Sequence, residues 1–225
     1  MDHAGMQEAP LVGDHLALDL LNTEARQDGA PVDYWQSGDD VLAWLARHGV
    51  AMPAAAVDAD ALLARARALR TLARRLVGMH HQAHKQAHED VHNDVDKYVH
   101  NGVHKGVDKD VHKHATQHDI EALNAILDGC LSAPRLEPDG EGRLVLRRVA
   151  RGDAFASLLG PVAQALAELL ADGDFALVKQ CEHPDCVLWF YDRTKAHRRR
   201  WCSMSTCGNR YKAAQFRKKG AAAQA

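Results

Sequence analysis

Apolar residues recur at helical spacing through most of the first 180 positions. Leu16-Ala17-Leu18-Asp19-Leu20-Leu21-Asn22-Thr23 is an apolar run that carries two polar groups, Asp19 and Asn22. Buried polar groups need partners, so these two either tie the run to a neighbouring backbone or line an effector pocket. Asp39-Asp40 ahead of Val41, Leu42, Trp44 and Leu45, with Gly49 after them, punctuates a short helix. From about Asp58 to Val77, Leu62, Leu69, Leu72 and Leu76 form an apolar stripe with arginines opposite. Asp119 opens a further helix through Ile120, Leu123, Leu127 and Cys130, the last read as a small core hydrophobe. Asp153 starts a fourth, through Leu158, Leu159, Val162, Leu166, Leu169 and Leu170 to near Gly173, and Pro161 should kink or split it. Pro138-Asp139-Gly140 followed by Leu144-Val145-Leu146 predicts a hairpin. Phe175 to Val178 predicts a last strand leading into Cys181.

Residues 80–118 break this pattern. Histidine recurs every four residues at His80, His84, His88, His92, His100, His104 and His112, and valine keeps the same period from Val91 to Val111. A period of four drifts about 40° per step around a helix, so no apolar face persists. The expectation is a solvated, partly helical or disordered insertion. Histidines at i and i+4 can chelate zinc, nickel or copper weakly, or act as a proton-sensitive switch. The competing reading is a low-complexity expansion tolerated in a surface loop.

Four of the five cysteines fall near the end as two equal pairs, Cys181/Cys186 and Cys202/Cys207. Thiolates favour soft or borderline cations, and zinc takes four ligands in a tetrahedron. The opening residues lack the basic start and apolar run of a signal peptide, and no stretch reads as the roughly 18 apolar residues of a membrane span. A reducing, cytoplasmic setting with no membrane partner is therefore expected, where such pairs read as metal ligands rather than disulfides. Four cysteines close the coordination sphere, so the expected single Zn2+ per chain stabilises the fold and performs no catalysis. Trp189, Phe190, Tyr191 and Trp201 are expected to pack around it.

Charge separates this segment from the rest. The chain as a whole is −2, yet from Cys181 onward ten Lys or Arg face only Glu182, Asp185 and Asp192. Arg198, Arg199 and Arg200 precede the second pair; Arg210, Lys212, Arg217, Lys218 and Lys219 follow Cys207-Gly208-Asn209. Gly208 suits a tight turn and Asn209 a helix cap. A compact cation on an anionic body is the footprint of a nucleic-acid-binding module.

The segment from Cys181-Glu182-His183-Pro184-Asp185-Cys186 through Trp189-Phe190-Tyr191-Asp192 to Cys202 and Cys207-Gly208-Asn209-Arg210 resembles the CGNR zinc finger, over roughly 178–219. That resemblance implies a zinc-binding module of bacterial proteins that binds DNA and follows an ABATE domain, a family named for stress-induced transcription regulation. The run Leu16–Thr23 resembles the opening of that domain. His183 and His197 match no ligand of the family.

The expected fold class is α+β: a mainly helical N-terminal domain with a small β hairpin, plus a small four-cysteine zinc module. The expected boundaries are 1–175 with the 80–118 insertion, 176–220 for the zinc finger, and a disordered tail at 221–225. No phosphate-cradling glycine loop or G-x-S-x-G elbow is present, so no enzyme is expected. The leading function is a DNA-binding transcription regulator whose helical body senses a signal or forms a homodimer. The alternative is a zinc-stabilised protein-interaction or RNA-binding module.

Overall fold

The computed structural model describes residues 8–27, 29–53, 56–97 and 109–222. Two compact units emerge: Ser37–Ala171, and a discontinuous unit that joins Met1–Gln36 to Asp172–Ala225.

The continuous unit is helical. Helix α2 (Gly38–Arg47) starts at Ser37, whose hydroxyl accepts from the Asp40 N–H while the Asp40 carboxylate accepts from the Ser37 N–H, a reciprocal cap. Gly49, at φ +73°, closes it. The predicted stripe Leu62, Leu69, Leu72 and Leu76 is buried on α3 (Ala59–Lys97), against Val41, Trp44 and Leu45 of α2 in the same unit's core. Both α3 and α4 (Lys109–Asp128) run into the His-rich tract from either side. A period of four removes a continuous apolar face but leaves the backbone free of proline, so helix propagates there; Gly102 and Gly106 lie outside the described residues.

Helix α4 therefore begins ten residues before Asp119, and that carboxylate is no cap. Asp119 is buried and accepts hydrogen bonds from Nε and Nη2 of Arg75 on α3, the shortest 2.7 Å. The pairing holds Arg75 above the ordinary guanidinium pKa. Strands β3 (Ser132–Pro138) and β4 (Leu144–Ala150) form the expected hairpin, with Leu136 opposite Leu146.

Helix α5 (Ala154–Asp172) starts behind Asp153, which accepts from the Ala156 N–H, and continues unsplit through Pro161. The residue before that proline, Gly160, lets Cys130 approach; an added Cβ would sit 2.7 Å from its sulfur. Cys130 packs as a small core group, half-buried, its thiol donating to Ile126 O. Against the sequence expectation, α5 is long and apolar enough to cross a membrane. Its apolar surplus includes Leu158, Val162, Leu166 and Leu169, all buried in the protein.

The discontinuous unit holds short elements: α1 (Leu16–Leu21), β1 (Glu24–Gln27) paired with β2 (Ala30–Asp33), β5 (Val178–Gln180) paired with β6 (Trp189–Tyr191), a π-turn at Met204–Gly208, and α6 (Asn209–Ala222). The β1–β2 hairpin was not expected from the apolar pattern, although Asp28-Gly29 carries the usual hairpin chemistry and Gly29 sits at φ +83°. The N-terminal segment covers the free edge of β6. Gly13 O accepts from the Tyr191 N–H at 2.7 Å, and the Asn22 side-chain amide exchanges two 2.8 Å hydrogen bonds with the Trp189 backbone.

Candidate zinc centre

Strand β5 delivers Cys181, and a turn closed by the Cys186 N–H to His183 O brings Cys186 back beside it. Cys202 precedes the π-turn and Cys207 lies within it, where Gly208 N–H reaches Ser203 O, five residues back. All four sulfurs lie within 4.8 Å of one another, with Cys186–Cys202 at 3.8 Å and Cys202–Cys207 at 3.6 Å. Tetrahedral zinc–thiolate bonds of about 2.3 Å require sulfur separations of about 3.8 Å, so the set fits the ion. Cys181, Cys202 and Cys207 are buried.

Crowding makes these thiols compete for protons. Hydrogen bonds from Cys186 and Cys202 lower Cys181 well below the ordinary thiol range. Donating to Cys181 pushes Cys186 up, and Cys202 is raised by Cys181 and Cys186. A divalent cation removes that competition by taking all four thiolates and releasing the protons. These cysteines hold one structural zinc ion, and the closed sulfur set leaves it no position for substrate.

The centre has its own small core. Phe190 and Trp201 pack with Cys181, Cys202 and Cys207, as expected, and Val12, Leu188 and Tyr211 flank them. Trp189 and Tyr191 are half-buried and stand on the other face of β6 from Phe190. Gly208 and Asn209 depart from the turn-and-cap expectation. Both are helical, and Asn209 donates back to Ser205 O at 3.3 Å instead of capping the helix ahead. The broad π-turn carries the chain from Cys202 to Cys207 and straight into α6.

The chain between the cysteine pairs folds around Asp192, which has no exposed surface. Burial alone would raise its carboxyl, but the Lys179 ammonium at 2.6 Å, the Thr194 hydroxyl and the N–H groups of Arg199 and Thr194 hold it well below the usual range. On sequence it counted as an opposing charge and as the last residue of the Trp189–Asp192 motif, with no structural role assigned. Its preference for turns and its place just after β6 were the available signals.

The three consecutive arginines have three different fates. Arg199 is built into the fold: its guanidinium donates to Trp201 O and Val12 O at 3.0 Å, to Cys202 O and to the Asp14 carboxylate, and lies 4.2 Å from the Phe190 ring centre. Arg200 pairs with Glu182 at 2.6 Å and stands over Trp201 and Tyr211, yet stays half exposed. Arg198 is exposed. All three line a cavity of about 720 Å³ with Leu11, Val12, Asp14, Thr194, Trp201, Cys202, Ser203 and Met204. Arg210, Lys212 and Arg217 are exposed on α6; Lys218 and Lys219 belong to that helix, with side chains outside the described residues.

Asp19 and Asn22, the residues offered for an effector pocket, are both buried and tied to backbone. Asp19 accepts from Gly13 N–H at 2.8 Å, and Asn22 holds Trp189. Neither lines the cavity. Burial raises Asp19 to about 6, against the pull of the Gly13 N–H and with help from the Asp14 charge.

A four-thiolate centre that roots a basic helix defines a zinc-finger module. In agreement, residues 178–220 match the CGNR zinc finger, and residues 14–173 match ABATE, described as "putative stress-induced transcription regulator". The chain belongs to the ABATE family and carries a C-terminal CGNR zinc finger. No curated protein matches it.

Proposed function

We propose that this protein regulates transcription by binding duplex DNA through α6 and the zinc unit. The observation that carries the reading is the state of α6. From Asn209 to Arg217 none of its residues is buried; Arg210, Lys212 and Arg217 are exposed, and Phe216 is 80 % exposed among them. A helix that is polar all round gains little from packing. This one leaves the zinc core directly after Cys207, so the metal and the packing of Tyr211 on Trp201 fix its root while the rest of it runs out from the core. Guanidinium and ammonium groups suit phosphates, and an exposed phenyl ring suits a thymine methyl or an opened base step. Arg198 adds a cation at the cavity rim, whereas Arg199 contributes through the shape of the unit.

With about four cations on phosphates, the logarithm of affinity falls against the logarithm of salt with a slope of roughly −4. The deciding experiment is selection of zinc-loaded protein on a random duplex library, with Cys202→Ser as control. An enriched motif that the control loses is the expected result. Saturable binding to a protein with no response to polyanions would replace this reading by the protein-interaction one.

A further inference from the structure

Hairpin β3–β4 is well formed but poorly covered. Among its described residues none is buried, although an isolated two-stranded sheet is marginal in water without further strands or a packed face. Bonds from Asp139 N–H to Arg143 O and from Arg151 N–H to Leu131 O frame the ladder at both ends. Antiparallel alternation then makes the odd-numbered residues the hydrogen-bonded ones. The even-numbered residues share the other face: Leu136, Leu144 and Leu146 stand 59 %, 67 % and 72 % exposed on it, flanked by Pro134 and Pro138. At one end of this face lies Arg148, its only charged side chain, which donates to Ser132 Oγ at 2.9 Å; at the other is the turn with Glu141, 74 % exposed and paired with the equally exposed Arg143 at 3.0 Å, a pair that water leaves free to exchange.

We propose that this hairpin is a self-association surface, its leucine face covered by the same face of a second copy, with the two hairpins stacked antiparallel about a two-fold axis. Two-fold contacts require a self-complementary patch. Antiparallel stacking brings Arg148 of each copy to Glu141 of the other, whereas parallel stacking would set arginine on arginine. Growth by strand addition is the poorer arrangement. The even-numbered backbone groups point outward, so Pro134 and Pro138 withhold donors from the free edge of β3. Pairing through the β4 edge would leave the leucines of both copies in water. Face stacking removes them, and apolar burial is the larger driving force.

Sedimentation equilibrium of the full zinc-loaded chain, from low to high micromolar, tests this. A monomer–dimer equilibrium is expected, weakened at least about tenfold by Leu146→Arg. At concentrations where both are monomeric, circular dichroism and the thermal midpoint of that variant should match the parent, because Leu146 is exposed. Arg148→Glu and Glu141→Arg should each weaken the dimer, and the double variant should restore it. A monomer at every concentration overturns the proposal, including one whose hairpin amides resist exchange, since something else would then cover the face. A dimer indifferent to Leu146→Arg also overturns it. Absence of rescue in the double variant overturns the antiparallel arrangement.

Discussion

Asp19 carries a measurable penalty. Its carboxyl titrates near 6 in the fold against 3.8 in an open chain. Between those values the native state holds more protons than the unfolded one, so stability falls as pH rises through the window, and the loss is complete above about pH 6. The shift corresponds to about 3 kcal/mol. Asp19→Asn keeps an oxygen for the Gly13 N–H and removes the charge. Urea unfolding should find its advantage over the parent growing from about pH 4 to pH 6 and level above that, up to that order. A second contrast separates neighbours in sequence. Arg199→Ala strands the Asp14 carboxylate and three carbonyls, and should lower stability by about 2–4 kcal/mol with zinc bound. Arg198→Ala should leave the melting midpoint nearly unchanged and weaken only the proposed binding to DNA. The four ligands were legible at this scale because spacing and chemistry suffice to name them. The separate fates of Arg198, Arg199 and Arg200 were not, since adjacent residues of one type differ only in what surrounds them.

Two glycines show how elements set cost. Gly38 opens α2 where an added Cβ would stand 2.3 Å from Ala59 O and 2.6 Å from its Cα, backbone atoms that cannot step aside. Gly38→Ala should therefore cost about 1–3 kcal/mol, read as a lower midpoint in urea. Gly208 looks similar in sequence, but its closest neighbours are the Met204 thioether atoms at 2.7 and 3.0 Å, the far end of a flexible side chain, with the Trp201 ring at 3.3 Å needing to give only a few tenths of an ångström. Since Gly208 is helical, Gly208→Ala should keep zinc content and lose less than about 1 kcal/mol, with helix propensity offsetting the repacking. Periodicity located α2, the core of α3, the β3–β4 hairpin and α5. It allowed partial helix in the histidine tract but not its extent on α3 and α4, because the helical backbone outlasts its apolar stripe. It also misassigned Asp119, where a residue suited to capping is held mid-helix by Arg75.

At the scale of the molecule, zinc organises more than the C-terminal segment. Residues 12–22 pair with β6, and Val12 and Asp14 hold Arg199, so the chain's beginning completes the unit that holds the metal. A strong chelator should thus expose amides of α1 and of the 12–14 segment to hydrogen exchange together with those of β5, β6 and the π-turn. The amides of α2 and the core of α3 should stay protected. If only residues after 178 respond, the N-terminal segment is held independently of the metal. Residue type and short-range spacing were enough to locate the zinc ligands, the basic character of the last segment and the main helices. Tertiary structure alone decided which arginine is structural, that Asp192 and Asn22 are buried ties, and that the first 36 residues join the last 54 in one unit. Those outcomes rest on partners more than 160 positions apart in the chain, or on burial, and no local pattern records either.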